Sequence, residues 1–291
     1  MPETSAMGGN KHRLDCAGRA LDLSRTVVMG ILNVTPDSFS DGGVFSAPDA
    51  ALARARAMVE EGAEVIDVGG ESTRPGASPV SVEEETRRVV PVVAACAREL
   101  AIPLSIDTSK PEVMRAAVAA GAGLINDVRA LRLPGALEAA AELNVPVCLM
   151  HMRGEPTDMQ IDPRYGDVVA EVRDYLSQRI DAAVGAGIAR ERLIVDPGFG
   201  FGKTVEHNLQ LLRRLDALRP LGCPILVGLS RKSIIEKVSG QSVDRRLHAS
   251  VALALIAVAK GARLVRVHDV AATAQAIRMY DAVYPPHAHS R

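Results

Sequence analysis

The sequence predicts an α/β fold, a single (β/α)₈ TIM-type barrel preceded by a short N-terminal β-hairpin. Short aliphatic runs alternate with longer segments rich in Ala, Glu and Arg at helical spacing, a pattern typical of a parallel sheet with crossover helices. There are eight such runs, and each ends on or beside a polar side chain. With 291 residues, 47% of them hydrophobic, the chain can bury one large core without dividing into domains.

We interpret residues 1–291 as one domain. Residues 13–26, RLDCAGRALDLSRT, predict the hairpin, and the barrel core is expected at about 27–284 with frayed termini on both sides. A doubly wound open sheet is the alternative architecture, but its dinucleotide-binding version requires a GxGxxG turn after the first strand. The first predicted strand runs instead into NVTPDSFSDGG, so the barrel is favoured.

The eight predicted strands follow one another at barrel spacing. The first four are VVMGILN ending at Asn33, EVIDVGG around Asp67, PLSID ending at Asp107 and GLIND at Asn126. The other four are PVCLMH at His151, RLIVD at Asp196, PILVGLS at Ser230 and RLVRVH at His268. Because the carboxyl ends of the strands form the active-site face of such a barrel, these polar residues should converge at one mouth.

The segments between the strands carry helix signals. In APDAALARARAMVEEG, residues Ser46 to Asp49 offer an N-cap and Gly62 a C-terminal stop, and in SVEEETRRVVPVVAACAREL, Ser81 and Glu84 have capping-box spacing. The longest apolar stretch, Ala249 to Ala259, is too short to span a bilayer and is expected to be a buried helix.

Charge and cysteine content exclude several classes of protein. The formal net charge is −1, and Lys and Arg are scattered along the chain, so no basic surface favours nucleic acid. The first 25 residues contain no apolar segment of the kind that directs export. The four cysteines are far apart and predict buried thiols in a reducing cytoplasm rather than disulfides or zinc ligands: Cys16, Cys96, Cys148 and Cys223.

Three common catalytic motifs are not matched. DPGFGFGKT has Pro197 where a phosphate-binding Walker loop requires glycine, and GLSRKS lacks the second glycine of a nucleophile elbow. His151 and His268 have no partner at metal-ligand spacing. What remains is a set of carboxylates, amides and cations at or just past strand ends, comprising Asp107, Asn126, Asp196, Lys232, Arg266, His268 and Arg74. Such a set suits a ligand with a flat, donor-rich edge and an anionic tail, although each member taken singly could be a helix cap or a solvated charge.

Seven segments together resemble the dihydropteroate synthase family. They are MGILNVTPDSFSDGG, GGESTRPGA, SIDTSK, IND, DPGFGFGK, GLSRKS and RVHD, in that order from about Val28 to Asp269, and the first, second and fifth are highly specific. The resemblance implies a transferase that joins 6-hydroxymethyl-7,8-dihydropterin pyrophosphate to p-aminobenzoate in a dissociative alkyl transfer. Pyrophosphate is released and 7,8-dihydropteroate is formed on the folate route.

The resemblance also implies the site residues. The pterin contacts would be Asp107, Asn126, Met150, Asp196, Phe201 and Lys232. Pyrophosphate would lie against Asn33, Arg74, Arg266 and His268, with Mg²⁺ held by the phosphate oxygens and the Asn33 carbonyl oxygen. The p-aminobenzoate site would use Phe39, Thr73, Pro75, Phe201, Lys232 and Ser233. The catalytic residues would be Asp107, Lys232, Arg266 and His268.

In this family the loops after the first and second strands close over the bound pterin. Phe39 and Asp41 would then be lid residues, which explains a phenylalanine set among Ser, Asp and Gly. The family is a target of sulfonamides, which resemble p-aminobenzoate, and it dimerises through late helices. Two alternatives stay open here, a methyltetrahydrofolate-binding barrel of the corrinoid methyltransferase type and a non-catalytic pterin-binding relative. The set of Asn33, Arg74, Arg266 and His268 argues against the first, which has no pyrophosphate to hold.

Overall fold

The computed structural model describes residues 13–34, 47–73, 76–155 and 157–285. Eight parallel strands close into a barrel in the order β10-β3-β4-β5-β6-β7-β8-β9, and an antiparallel pair, β1 and β2, precedes it, so the predicted fold is confirmed. The hairpin strands are β1 (Arg13–Cys16) and β2 (Arg19–Asp22). The barrel strands are β3 (Val27–Asn33), β4 (Val65–Gly69), β5 (Leu104–Asp107), β6 (Leu124–Asp127), β7 (Val147–Met150), β8 (Leu193–Asp196), β9 (Ile225–Val227) and β10 (Ala262–Val267). Each coincides with one of the eight predicted runs.

Helices surround the barrel. They are α1 (Ala47–Glu61), α2 (Val82–Glu99), α3 (Pro111–Ala119), α4 (Ala136–Leu143), α5 (Val168–Gly185), α6 (Val205–Arg213), α7 (Ser233–Ser239), α8 (Leu247–Ala259) and α9 (Val270–Val283). Short 3₁₀ turns occupy Arg190–Arg192, Leu215–Leu221 and Val243–Arg245. The first helix stops at Gly62, whose φ of +107° lies in the left-handed region, as predicted. The second begins after Ser81, whose hydroxyl accepts the Glu84 N–H at 3.2 Å, while the Glu84 carboxylate pairs with Arg87 and Arg88.

Helix α8 corrects one expectation. Its apolar sequence predicts a buried helix, but only one side faces the barrel, through Ser250, Ala254, Ala257 and Val258. On the other side Ile256 is 47% exposed. A helix that is apolar all round gives no sequence signal for which side is covered. In the part of the chain that the structure describes, none of the helices combines the length and the apolar character that a membrane span requires.

The hairpin packs against the amino-terminal end of the barrel. Leu14, Cys16, Leu21 and Leu23 form one buried cluster with side chains from strands β3, β4, β6, β7, β8, β9 and β10. Gly123, just before β6, allows this contact, because a Cβ there would lie 2.3 Å from the Cys16 carbonyl oxygen. All four cysteines are buried free thiols, as predicted. The hairpin therefore closes the end of the barrel opposite the strand carboxyl ends.

The barrel interior is layered, because alternate strands contribute side chains at the same height. One apolar layer consists of Val65, Leu124, Ile194 and Leu264, which all belong to the cluster beneath the hairpin. Two residues further along the same four strands, at positions that point to the same side, stand four polar residues: Asp67, Asn126, Asp196 and Arg266. We call these four the mouth layer. The barrel interior therefore changes from apolar to polar between two successive layers, at the carboxyl ends of the strands.

Candidate active site

Hydrogen bonds across the barrel connect the mouth layer. The Oδ2 atom of Asp67 accepts from Arg266 Nε at 2.6 Å and from Asn126 Nδ2 at 3.1 Å. The side chain of Asp67 has no exposed surface, and its other oxygen, Oδ1, has no hydrogen-bond partner. Asn126 is 4% exposed. One buried carboxylate thus contacts two residues that the sequence assigned to different halves of the ligand.

Arg266 also joins Asp107, the last residue of β5. The distance from Arg266 Nη2 to Asp107 Oδ2 is 2.7 Å, and the Asp107 side chain is 12% exposed. Burial raises the pKa of Asp107 to about 7, against the opposing charge of Arg266. The carboxylates around Arg266 keep its own pKa above the ordinary arginine value, so the guanidinium stays charged.

The opposite wall contains Asp196 and Lys232. The Asp196 carboxylate accepts the Gly198 N–H at 2.7 Å, and burial raises its pKa to about 6. Burial lowers the pKa of Lys232 to about 8, while the charge of Asp196 opposes that shift. The Lys232 ammonium lies 4.2 Å from the centre of the Phe201 ring, at cation–π distance. Met150, whose strand position is in register with Asp196, packs in one apolar cluster with Phe201.

The loop of the DPGFGFGK motif is fixed from beneath by Lys203, a residue that the sequence analysis did not select. Lys203 is 3% exposed, and its Nζ donates to the carbonyl oxygens of Gly198 and Phe201 at 2.8 and 3.0 Å. A third contact, of 2.8 Å, reaches Nδ1 of His151, whose pKa burial lowers to about 2. His151 is therefore a neutral acceptor in the loop's support, and Lys203 sets the position of Phe201.

Ser230 contacts both the ring and the backbone of His268. The Ser230 hydroxyl lies 3.0 Å from His268 Nδ1, and the backbone N–H of His268 donates to the same oxygen at 3.2 Å. A hydroxyl has one hydrogen and two acceptor lone pairs, so this contact suits a ring protonated on either nitrogen. Burial lowers the pKa of His268 to about 4, so the ring is neutral near pH 7.

The residue after Ser230 has a left-handed backbone. Arg231 has a φ of +56°, an unfavourable value for a residue with a side chain. Its guanidinium pairs with Asp269, with 3.0 Å between Nε and Oδ2, and its N–H donates to Ser250 at 3.0 Å. These contacts hold the turn that separates Ser230 from Lys232, so the strain lies beside the candidate site and is held there by tertiary contacts.

A cavity of about 250 Å³ opens beside Asp107. Its lining includes Thr73, Glu71 and Glu85, but not Phe201, Lys232 or Ser233. Lys110 contacts the carboxylates of both Glu71 and Glu85 at its edge. Thr73 is therefore next to Asp107 but is not brought into contact with the other p-aminobenzoate residues within the described chain.

The remaining predicted residues lie at the rim or outside the description. Asn33 is exposed at the end of β3, and Ser233 is exposed at the start of α7. Phe39, Asp41, Arg74 and Pro75 lie outside the described residues. Within the described ranges, no group of three or more His, Cys, Asp or Glu side chains could hold a metal ion.

Comparisons with known proteins agree on one family. A sequence model described as "Pterin binding enzyme" matches residues 29–268. Dihydropteroate synthase of Escherichia coli (strain K12) is 53% identical over 270 residues, which are 93% of this chain and 96% of that protein. Dihydropteroate synthase of Xanthomonas albilineans with 4-aminobenzoic acid is 57% identical with a TM-score of 0.90, covering 94% of this chain and 98% of that chain. The same organism's enzyme in complex with 7,8-dihydropteroate is 54% identical with a TM-score of 0.86, covering 94% and 99%.

Proposed function

The chain belongs to the pterin-binding enzyme family as a dihydropteroate synthase, and we propose that its barrel mouth joins 6-hydroxymethyl-7,8-dihydropterin pyrophosphate to p-aminobenzoate. The reaction is an alkyl transfer, because the group that moves is the pterin methylene. The bond between that carbon and the pyrophosphate oxygen breaks, and both electrons leave with the oxygen. The amine nitrogen then forms the new C–N bond and loses a proton to water, so that 7,8-dihydropteroate and pyrophosphate are the products.

The contact between Arg266 and Asp107 carries this proposal. A dissociative reaction needs a cation beside the departing pyrophosphate and an anion beside the carbocation left on the pterin. Arg266 Nη2 and Asp107 Oδ2 are 2.7 Å apart. The site therefore holds a fixed cation and a fixed anion next to each other. Fixed charges that oppose the charges developing in the transition state lower the barrier more than they stabilise the bound substrate.

The pterin ring is held by groups of complementary hydrogen-bonding character. Pterin presents an amino group and a ring N–H, and the buried carboxylates of Asp107 and Asp196 accept strongly from such donors. Asn126 and Lys232 supply donors for the ring acceptors. Met150 and Phe201 give apolar contact, because the two side chains belong to one buried cluster. These six residues form the proposed pterin site.

The pyrophosphate site uses Arg266 and His268, with Asn33 and Arg74 at the rim. With Nδ1 accepting from the Ser230 hydroxyl and the proton on Nε2, His268 would donate to a phosphate oxygen. Because His268 has a lowered pKa, this donor is present without a change of charge between pH 6 and 8. Lys232 adds positive charge on the opposite wall.

Magnesium fits this donor set in one particular way. Among the described residues, no group of three or more His, Cys, Asp or Glu side chains could bind a metal. The substrate's phosphate oxygens would therefore supply most of the Mg²⁺ ligands. The Asn33 side-chain oxygen, exposed at the end of β3, is a hard donor of the kind Mg²⁺ accepts alongside phosphate and water. When bound, Mg²⁺ would neutralise charge on the leaving group. Asn33→Ala should weaken the magnesium dependence of pyrophosphate binding, whereas exposed Asn144→Ala should not.

The second substrate would bind over the pterin, with Thr73, Phe201, Lys232 and Ser233 around it and Phe39 and Pro75 closing the pocket. The aromatic amine is already neutral near pH 7, so it can attack without a general base. Its carboxylate would meet Ser233 and the first N–H groups of α7. Sulfonamides would compete for the same place.

We also propose that the chain acts in the cytoplasm as a homodimer. Four buried free cysteines suit a reducing compartment. The late helices leave large apolar side chains exposed, among them Ile256 on α8 at 47% and Met279 and Val283 on α9 at 64% each. Burying such side chains is favourable, and this supports pairing through α8 and α9.

Pyrophosphate release by the purified chain tests the proposal. The expected result is fast release only when both substrates and Mg²⁺ are present, with p-aminobenzoate omitted as the control. A methyl-transferring barrel of the same family would bind the pterin without releasing pyrophosphate, which would contradict the proposed reaction. An α-secondary deuterium isotope effect at the pterin methylene tests the dissociative step. Formation of a carbocation changes that carbon from sp³ towards sp² and gives an effect above unity, whereas a direct displacement gives an effect near unity.

A further inference from the structure

We propose that Asp67 is a positioning residue that orients both Asn126 and Arg266 for the ligand. This inference rests on the proposed function, which assigns Asn126 to the pterin and Arg266 to the pyrophosphate. Asp67 belongs to the mouth layer, and its Oδ2 is 2.6 Å from Arg266 Nε and 3.1 Å from Asn126 Nδ2. No motif singles it out, since it lies within a strand rather than at its end.

The contact with Asn126 decides which end of an amide meets the pterin. An ionised carboxylate only accepts hydrogen bonds, so the Asn126 nitrogen must face Asp67 and the amide oxygen must face away. The second N–H and Oδ1 are left for the ligand. If the group at position 67 could also donate, Asn126 could turn over and present the opposite pattern.

The contact with Arg266 decides which edge of the guanidinium meets the anion. Asp67 and Asp107 occupy the edge formed by Nε and Nη2. The planar fork has five N–H donors, and the edge that contains Nη1 stays available for phosphate oxygens. Asp67 therefore fixes the orientation of the guanidinium through Nε, and Asp107 fixes it through Nη2.

A purely structural role explains Asp67 poorly. Interior layers of such barrels are usually filled by branched aliphatic side chains, as in the layer that contains Val65. The Oδ1 atom of Asp67 is buried without a hydrogen-bond partner, which is unfavourable for folding. A carboxylate that costs stability but contacts two ligand residues is better explained by orientation of those residues.

The test compares Asp67→Asn with Ser105→Ala. Ser105 is the neighbour of Asp67 in strand register on β5, it is equally buried, and its hydroxyl also has no partner, so it controls for a change at an adjacent buried position. Calorimetry with 6-hydroxymethylpterin and, separately, with inorganic pyrophosphate and Mg²⁺ measures the two halves of the site. Asp67→Asn should weaken both by about 10- to 100-fold, the scale seen for outer partners of ligand-binding groups. Ser105→Ala should weaken neither.

Two further measurements distinguish a failure of this inference from a failure of the proposed function or of folding. The ¹⁵N–¹H signal of Arg266 Nε, recorded without ligand, should be protected from exchange in the wild type and in Ser105→Ala and lost in Asp67→Asn. If the wild type bound neither probe, the proposed function would fail, while this signal would still decide the orientation of Arg266. Should Asp67→Asn not fold, Asp67→Glu, which displaces the charge by one methylene, should show the same double loss. Wild-type affinity for either probe in a folded position-67 variant, or an unchanged Nε signal, would overturn the inference.

Discussion

Replacing Asp107 by asparagine should lower kcat/KM by an amount that depends on pH. The wild-type carboxylate is 12% exposed and lies 2.7 Å from Arg266 Nη2. Burial raises its pKa to about 7, the charge of Arg266 lowers it, and the negative side chains of Asp67, Glu85 and Asp127 raise it again. The ionised form, which the reaction needs, is therefore lost as the pH falls through about 7, whereas an asparagine does not titrate.

The size of the effect follows from that pKa. A group with a pKa of about 7 is roughly nine-tenths ionised at pH 8 and roughly one-tenth ionised at pH 6. Loss of one preorganised electrostatic group costs about 100-fold in rate. The wild type should then exceed Asp107→Asn by about 100-fold at pH 8 and by only about 10-fold at pH 6. Asp196, with a pKa raised to about 6, affects both enzymes alike below that pH.

The assay is pyrophosphate release at low substrate concentration, because kcat/KM reports the ionisation of the free enzyme. Asp174→Asn, which removes an exposed carboxylate on α5, should keep the wild-type profile. A ratio of wild type to Asp107→Asn that stays constant from pH 6 to pH 8 would refute the assigned ionisation. Near-normal turnover of the variant would remove Asp107 from the catalytic residues altogether.

Four other substitutions test separate parts of the molecule. His268→Ala should weaken pyrophosphate binding about 10- to 100-fold, since a hydrogen bond to a charged group is lost. Ser230→Ala should weaken it by a smaller factor. Calorimetry measures both, and an equal loss of 6-hydroxymethylpterin binding would contradict a separate anion site. Phe39→Ala should raise KM for p-aminobenzoate with little change in melting temperature, whereas a core phenylalanine would cost about 3–5 kcal/mol and a large melting loss. Gly123→Ala should lower the melting temperature by about 2–6 °C, because its Cβ would lie 2.3 Å from the hairpin carbonyl oxygen. Gly185→Ala, with nothing within 4 Å, is the control, and an equal loss there would contradict the hairpin contact.

The barrel and most of its mouth could be predicted because both depend on short-range pattern. Each aliphatic run predicts a strand, and the polar residues at or near the ends of the runs lie at the same end of the barrel. Asp107, Asn126, Asp196 and Arg266 were found in this way. Asp67 was expected at the mouth but was not selected as a site residue, although it lies two residues after Val65 just as Asn126 lies two after Leu124. Its pairing with Arg266 joins residues 199 apart and depends on how the strands are staggered, which no local pattern gives.

Other contacts were unpredictable for different reasons. The contact between Ser230 and His268 joins residues 38 apart, and an arginine gives no sequence signal for the left-handed backbone that follows Ser230. Lys203 looked like part of a failed phosphate loop, but its hydrogen-bond partners, on His151, Gly198 and Phe201, lie inside the protein. The exposed side of α8 differs from its buried side by neighbours alone, not by residue type.

A crystal structure of the protein with 6-hydroxymethylpterin pyrophosphate tests the central claim most directly. The pterin ring should lie within hydrogen-bond distance of Asp107, Asn126 and Asp196. The phosphates should lie against His268 and the Nη1 edge of Arg266. Asp67 should still contact Arg266 Nε beneath them. A pterin bound only in the cavity beside Thr73, with the mouth layer untouched, would contradict it.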